Sequence, residues 1–464
     1  LACLPPWQAV PFGAYAAVAL LLLGGISLVP QVVGLLLRAF RGARHPVVAL
    51  AVARALDQRH TATAAVAGVV ASLSLVVALT VMVTSFRLSL ENWLGDVLPA
   101  DLYVRPDAEG GPSSALLSDG VVAAVPRLQG VQRVRAERLV PISLAPGEPE
   151  VTLIARDIPP GELPDLPWIT APHSGAPPMA TGVIAVYPSE VLAALRHLRV
   201  GAIMEVPLPT GPGNGTAASS MRPPSVRGTV RGIWRDYARQ QGALLIDRAD
   251  WLRLTADPHV SDLAVWLAPT ANPETLPNTV MPPGGRARGR SGGSPVDITA
   301  IERSAGPDAP VEVATTGEIR ALSLRIFDRS FAVTRWLQGV ALAIGLAGIA
   351  ASFSAQVLAR RREFGTLQHL GFTRRQVLWL VALEGALWSA VGAVLGLALG
   401  LGVSVVLVDV VNPQSFHWTM TLAIPGPTLL LLALGVVAAG ALTAWGSGHA
   451  AAGRDVLRAV HEDW

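Results

Sequence analysis

The sequence predicts an integral membrane α-helical protein with five transmembrane helices and a large mixed α/β extracytoplasmic domain between the second and third helices. Of its 464 residues, 51% are hydrophobic and only 15% are charged, whereas a soluble globular protein carries about 25% charged residues. Five apolar stretches are long enough to approach or exceed the ~20 residues that a helix needs to cross a bilayer. One long segment with charges throughout separates the second stretch from the third.

The five predicted spans contain a single charged residue, Glu384. In chain order the spans are Phe12–Leu37, Thr61–Ser85, Trp336–Ala359, Val377–Val408 and Leu422–Trp445. They divide the chain into a helix with a basic connector (1–60), a helix (61–86), the α/β domain (87–329), three helices (330–446) and a tail (447–464). The first span is expected to end a preceding repeat, so that the sequence would be the C-terminal part of a longer protein.

Arginine distribution predicts the orientation. The connector Arg38–His60 carries five arginines against Asp57 alone, and the loop 360–376 carries five arginines against Glu363. Short loops rich in arginine stay in the cytoplasm, so both connections and the tail are expected on the inner side of the plasma membrane. In the segment 87–329 acids slightly outnumber arginines, which agrees with an external location.

The inserted domain shows the alternating and β-branched runs typical of strands, mixed with helical segments. The predicted strands are Asp101–Arg105, Val131–Leu144, Val151–Arg156, Val183–Tyr187, Ser225–Ile233, Ala243–Ile246 and Leu263–Leu267. The predicted helices are Leu116–Val125, Ser189–Leu198 and Arg248–Leu254. Two stretches rich in Gly and Pro, near 207–224 and 281–295, are predicted to be mobile loops.

Several classes of function are disfavoured by composition. All 36 basic residues are arginine, and a Walker A loop requires a lysine to reach the phosphates. We therefore expect no ATPase activity, no catalytic residues and no cofactor in this chain. Cys3 is the single cysteine, and the histidines follow no metal-ligand spacing, so we expect no disulfide and no metal site. Nucleic acid is not an expected partner, whereas the lipid bilayer is.

Two features inside the fourth span invite a functional or a structural interpretation. Gly392, Gly396 and Gly400 recur every four residues and form one small-residue face, which allows another helix to approach closely. That helix can belong to the same subunit or to a second copy. Glu384 is costly in a membrane unless it is paired. A structural pairing with Arg374, Arg375 or a neighbouring helix is favoured over proton transport, because the other spans supply no further acids for a relay.

The loop 360–376 is the most informative part of the chain. Its sequence, RRREFGTLQHLGFTRRQ, places an apolar face formed by Phe364, Leu367, Leu370 and Phe372 on a short helix that ends at Gly371. We expect that face to enter a groove on a partner, as in helix-in-groove recognition. The residues expected to form this docking loop are Arg362, Glu363, Phe364, Gly365, Leu367, Leu370, Gly371, Arg374 and Arg375.

This loop resembles the cytoplasmic loop of FtsX-like permeases, the group that includes MacB, LolC and LolE. The strongest match covers Ala355–Glu384, and further resemblance is seen at Thr61–Glu91, Val226–Asp247 and Gly453–Val460. The likeness extends over about Pro46–Val460. Phe364, Gln368 and His369 depart from the residues usual in the family, and the stretch 281–295 interrupts a normally compact region.

The resemblance implies a permease subunit of an ABC transporter, the C-terminal repeat of a larger permease. A separate cytoplasmic ABC ATPase would bind ATP and magnesium and dock on the loop, and a second permease copy or a paralogue would complete the assembly. The expected substrate is a lipoprotein, a lipid or another extracytoplasmic molecule. The alternative is a membrane-anchored sensor or scaffold without ATPase coupling; a secondary transporter is disfavoured because paired broken spans are missing from the sequence.

Overall fold

The computed structural model describes residues 4, 11–32, 35, 53, 59–107, 116–159, 162–172, 182–209, 224–268, 301 and 311–451. These residues form two compact units. The membrane unit comprises residues 1–88, 328–415 and 419–464, and the α/β unit comprises residues 89–327 and 416–418. Most of the basic connector, the loop near 281–295, most of the loop near 207–224 and the tail beyond 451 lie outside the described residues.

Long apolar helices build the membrane unit. Its helices are α1 (Phe12–Ser27), α2 (Arg59–Val97), α7 (Ala332–Ala359), α8 (Arg361–His369), α9 (Arg374–Val406), α10 (Asn412–Phe416) and α11 (Gly426–Ala451). A π-helical turn, Leu407–Val411, joins α9 to α10. Side chains from α2, α7, α9 and α11 share one buried core, in which Leu73, Phe353, Trp388 and Val436 are almost fully enclosed.

Among the described residues, four helical segments are long and apolar enough to cross a membrane: Val66–Val97, Thr316–Ala359, Arg374–Phe416 and Gly426–His449. They overlap the last four of the five predicted spans. Helix α1 covers 16 residues, which is shorter than a span requires. The predicted first span, Phe12–Leu37, runs on into residues that are only partly described, so its length stays a prediction.

The α/β unit is organised by a nine-stranded sheet with the strand order β11-β1-β10-β2-β3-β9-β5-β7-β6. Its strands are β1 (Leu102–Pro106), β2 (Val131–Ile142), β3 (Val151–Arg156), β5 (Val183–Pro188), β6 (Ile203–Pro207), β7 (Ser225–Val230), β9 (Ala243–Asp247), β10 (Asp262–Leu267) and β11 (Val311–Thr315). A separate two-stranded sheet pairs β4 (Trp168–Thr170) with β8 (Ile233–Trp234). Within the large sheet, the pairs β3–β9 and β5–β7 are parallel and the other pairs are antiparallel.

The middle of this sheet is fully buried. Leu153 on β3 and Leu244, Leu245 and Ile246 on β9 are all 0% exposed. A strand that is covered on both faces has a continuous apolar sequence, and residues 243–246 of β9, ALLI, show this pattern. Two hydrophobic clusters therefore lie on opposite faces of the central strands, one containing Leu153 and Leu244 and the other containing Leu245 and Trp234.

Side-chain caps start the helices of the α/β unit. These helices are α3 (Asp119–Ala124), α4 (Glu190–Leu195), α5 (Arg248–Thr255) and α6 (Thr316–Ser330). Ser118, Ser189 and Asp247 each accept a hydrogen bond from a backbone N–H in the first turn of α3, α4 and α5, which satisfies a donor that the helix leaves unpaired.

The predicted elements of this unit are largely present. Each predicted strand corresponds to an observed strand, although Ser225–Ile233 is divided between β7 and β8. The predicted helix Leu116–Val125 begins later, at Asp119, because Ser118 caps it. The strands β4, β6 and β11 and the helix α6 were not predicted.

Candidate functional site

The loop 360–376 is a short helix followed by a tightly defined turn. Helix α8 ends in a Schellman motif: the N–H of Gly371 donates to the Gln368 carbonyl, and the N–H of Phe372 donates to the Leu367 carbonyl, both at 3.1 Å. Gly371 has a φ of +95°, which glycine adopts at little cost. The sequence LGF therefore stops the helix at this point.

A capping box begins the next helix immediately afterwards. Thr373 accepts a hydrogen bond from the N–H of Gln376, and the Gln376 side chain accepts one from the N–H of Thr373 at 2.8 Å. This reciprocal pair satisfies donors at the start of α9. Since the capping box begins at Thr373, directly after Phe372 of the Schellman motif, the connection between α8 and α9 has little freedom.

The apolar side of α8 faces the chain's own core. Phe364 is 3% exposed and belongs to the buried cluster of the membrane unit, while Leu367 and Phe372 pack against the same cluster. Leu370 instead is 78% exposed. The expectation that one continuous apolar face is presented to a partner is therefore wrong: three of its four members are engaged within the subunit, because they complete the core between α7 and α9.

The opposite side of the loop is polar and open to solvent. Glu363, Gly371, Arg374 and Arg375 are exposed together with Leu370, whereas Gly365 is buried. The side chain of Arg362 lies outside the described residues. We name the exposed set Glu363, Thr366, Leu370, Arg374 and Arg375 the loop surface.

Glu384 forms an ion pair at the base of the loop. Its Oε1 accepts a hydrogen bond of 3.0 Å from Nη1 of Arg360, the residue that ends α7. Both side chains are largely enclosed, at 14% exposure for Arg360 and 10% for Glu384. The structural role expected for Glu384 agrees with this geometry, but its partner is Arg360, and neither Arg374 nor Arg375 forms a described ion pair with it. The pair links the end of α7 to α9.

The glycine face of α9 lies against α2. A Cβ added at Gly392 would stand 3.0 Å from Val69, one at Gly396 would stand 3.0 Å from Leu73, and one at Gly400 would stand 2.7 Å from the Ser74 carbonyl. Larger residues at these positions would push the two helices apart. The face thus packs within the subunit, which was one of the two possibilities left open by the sequence.

A second close helix contact was not anticipated from the sequence. A Cβ added at Gly385 would stand 2.8 Å from the Gly440 carbonyl, and one at Gly440 would overlap Ser389. Gly440 lies on α11, so α9 and α11 approach with almost no side chain between them. The recurring small residues AAGA at 438–441 are the signal that sequence reasoning could have used.

The α/β unit contains a buried ionic cluster. Glu137 on β2 lies 2.8 Å from Nε of Arg156 and 3.6 Å from Nη2 of Arg135. Burial raises the pKa of the Glu137 carboxyl, but the two arginines outweigh this effect and hold its pKa below the ordinary value. Nearby, burial raises the pKa of Asp262 to about 6 against the opposing effect of Arg105. The cluster is charge-compensated, which is typical of a structural role.

The described residues include no group of three His, Cys, Asp or Glu side chains that could hold a metal ion. The described residues form a bundle of apolar helices, a basic helix–turn–helix connection and an inserted α/β unit. This combination defines the class of protein as a multi-pass membrane protein. The connection between its helices α8 and α9 has a defined backbone geometry.

Residues 337–455 match the FtsX-like permease C-terminal family. The predicted family resemblance is confirmed: the chain carries an FtsX-like permease domain, and its relatives include an ABC transporter permease. It is 27% identical over 394 residues to the ABC transporter permease protein Rv0987 of Mycobacterium tuberculosis, covering 83% of this chain. The chain spans 42% of the length of that relative.

Two solved extracytoplasmic domains also show similarity. The extracellular domain of the noncanonic ABC-type transporter YknZ from Gram-positive bacteria is 13% identical with a TM-score of 0.22, covering 36% of this chain and 82% of that domain. The periplasmic region of MacB from Actinobacillus actinomycetemcomitans is 9% identical with a TM-score of 0.28, covering 48% and 92%. Both TM-scores are low, so these two structures carry no argument about the family. The family assignment rests on the match at residues 337–455 and on the mycobacterial relative.

Proposed function

We propose that this chain is the permease part of an ABC transporter, in which a separate cytoplasmic ABC ATPase drives movement of an extracytoplasmic α/β domain. The ATPase supplies the ATP and magnesium site, and a second permease copy or a paralogue completes the assembly in the plasma membrane. The substrate class we favour is a lipoprotein, a lipid or another molecule handled outside the cytoplasm. The FtsX-like domain and the permease relative support this proposal.

The observation that carries the proposal is the construction of the loop. Phe364, Leu367 and Phe372 anchor α8 to the helix core, and the pair Arg360–Glu384 fastens its base. A push on an anchored helix is transmitted to α7 and α9, whereas a push on a flexible loop would be absorbed by it.

Contact with the ATPase is assigned to the loop surface. Leu370 provides an exposed apolar side chain, and Arg374 and Arg375 stand beside it with two positive charges. A partner groove with one apolar pocket and acidic margins would complement this surface. Because the loop lies between two candidate spans and is rich in arginine, we place it in the cytoplasm.

Leu370→Asp tests the coupling. The substitution puts a charge into the proposed contact without disturbing the core, since the side chain is 78% exposed. A buried unpaired charge costs several kcal/mol, so we expect at least ~tenfold less ATPase to copurify with the full-length protein. The readout is the ATPase activity recovered with the permease from native membranes.

Leu163→Asp is the matched control, because Leu163 is a 55% exposed leucine in the α/β unit. It should leave ATPase recovery unchanged, and both variants should insert into the membrane as the parent does. Equal recovery of ATPase with Leu370→Asp and with the parent would contradict the proposal and return the interpretation to a membrane-anchored sensor or scaffold.

A further inference from the structure

We infer that the membrane unit binds an anionic phospholipid in a groove between α2, α7 and α11, with an acyl chain along the groove and the phosphate at a pair of arginines. The groove has a volume of about 580 Å³, within the range of ligand pockets. This inference goes beyond the proposed function and does not depend on the loop surface.

Apolar atoms contribute most of the surface of the groove, although Thr84, Gln338 and Thr428 also line it. Val76 and Val83 on α2, Leu342 on α7 and Leu432 on α11 contribute apolar side chains. Thr80 also lies in the wall, and its hydroxyl donates to the Val76 carbonyl at 2.7 Å, so this donor is already used. Such a surface suits a hydrocarbon chain better than a polar substrate.

One end of the groove is charged. Nε of Arg87 and Nη1 of Arg335 lie 3.5 and 3.7 Å from the same oxygen of Asp328. One carboxylate cannot neutralise two guanidinium groups, so the charged residues that line the groove carry a net charge of +1. Both arginines are about half exposed, at 50% and 54%. Nη2 of Arg335 also donates to the Asp328 carbonyl at 2.7 Å. The other N–H groups of the two arginines can donate to a phosphate, which arginine binds with paired hydrogen bonds.

The distance between the charged and apolar ends fits one leaflet of a bilayer. Val76 and Arg87 are eleven residues apart on one helix, or ~16 Å at 1.5 Å per residue. Half of a ~30 Å hydrocarbon core is ~15 Å. Arg87 directly follows the apolar run 61–86, and Arg335 directly precedes the apolar run 336–359. The arginines are therefore expected at headgroup level on the side opposite the loop 360–376, Arg87 where the apolar run of α2 ends and Arg335 near the start of α7, while Val76 approaches the middle of the membrane.

Gly339 offers a way to fill the groove without disturbing the fold. It lines the groove, and a Cβ added there would meet nothing within 4 Å. Leucine also has a higher helix propensity than glycine. Gly348 lies on the same helix, is equally open and does not line the groove. Gly339→Leu and Gly348→Leu thus form a matched pair that differs in the groove alone.

The test is native mass spectrometry of the full chain, delipidated in detergent and titrated with phosphatidylglycerol or with phosphatidylcholine of the same acyl chains. We expect the parent to retain one phosphatidylglycerol about tenfold better than phosphatidylcholine. Both lipids carry a phosphate, but the positive choline group of phosphatidylcholine is repelled by the net positive charge of the groove. Gly339→Leu should lose this lipid and Gly348→Leu should keep it. The double variant Arg87→Gln, Arg335→Gln should bind the two lipids equally.

Four results would overturn the inference. The lipid persists in Gly339→Leu or is lost equally in Gly348→Leu; the parent holds phosphatidylcholine as well as phosphatidylglycerol; or Gly339→Leu fails to fold while Gly348→Leu folds. The last result would mean that protein, rather than lipid, occupies the groove.

Discussion

Glu384 and Arg360 show how a single ion pair is accommodated in an otherwise apolar bundle. Each charge is removed from water, and the cost of this desolvation is offset only when the partner is close and well oriented. The 3.0 Å hydrogen bond meets that condition. Arg360 comes from the end of α7 and Glu384 from the interior of α9, so the pair also fixes the distance between the two helices that hold the loop.

Replacing one partner of this ion pair should destabilise the protein more than replacing both partners. Glu384→Gln leaves the Arg360 charge buried without a counter-charge, and we expect a loss of about 3 kcal/mol in unfolding free energy. The double variant Arg360→Met, Glu384→Met replaces both charges by apolar groups and should recover most of that stability. Thermal unfolding of the purified protein in detergent measures both effects. A Glu384→Gln variant as stable as the parent would show that the pair contributes no stability.

At the scale of elements, small residues determine which helices approach. Gly392, Gly396 and Gly400 bring α9 against α2, and Gly385 and Gly440 bring α9 against α11. Helices in a membrane gain no hydrophobic driving force from association, so close packing of backbones carries more of the stability. Helix α9 is therefore the central element of the membrane unit, in contact with α2 on one face and α11 on another.

Gly396→Leu should disturb this packing. The added side chain would begin 3.0 Å from Leu73, and overpacking of this kind typically costs 1–3 kcal/mol. Gly402→Leu is the control on the same helix, because a Cβ at Gly402 meets nothing within 4 Å. We expect a lower unfolding temperature and poorer recovery of folded protein for Gly396→Leu alone. If the two variants behave alike, α9 does not pack on α2 in the way described.

At the scale of the whole molecule, the arginine distribution implies one orientation in the membrane. On this basis we expect the loop 360–376 on the inner side and the α/β unit on the outer side. Cys3 is the single cysteine of the chain, so a Cys3→Ser background makes every introduced cysteine a unique label. Ser261 in the α/β unit is only 1% exposed and is therefore unsuitable as a labelling position.

Exposed positions report the orientation better. In intact cells, a membrane-impermeant maleimide should label Leu163→Cys, which replaces a 55% exposed residue of the α/β unit. Thr366→Cys, on the loop surface, should be labelled only after the membrane is permeabilised. Both cysteines should react in detergent, which controls for accessibility. Labelling of position 366 in intact cells would reverse the orientation.

The sequence by itself determined the features that depend on local pattern and composition. Apolar runs located the four described helices that are long enough to cross a membrane, because a bilayer demands ~20 such residues whatever the neighbours are. Alternation located the central strands, and Val151–Arg156 was predicted with the bounds that β3 has. Gly371 and Thr373 carry local signals for a helix end and a helix start, and the structure shows both.

Tertiary structure alone decided the features that depend on what a side chain meets. The strands β6 and β11 form the two edges of the large sheet, where pairing with one neighbour, rather than an apolar run, defines the strand. From the sequence, the apolar side of α8 was expected to contact a partner protein. In the structure, Phe364 belongs to the buried core that α7 and α9 share. Glu384 required a cation, but its sequence neighbours did not reveal that Arg360, 24 residues away, would supply it. In each case the deciding contact joins residues distant in sequence, and periodicity carries no information about such contacts.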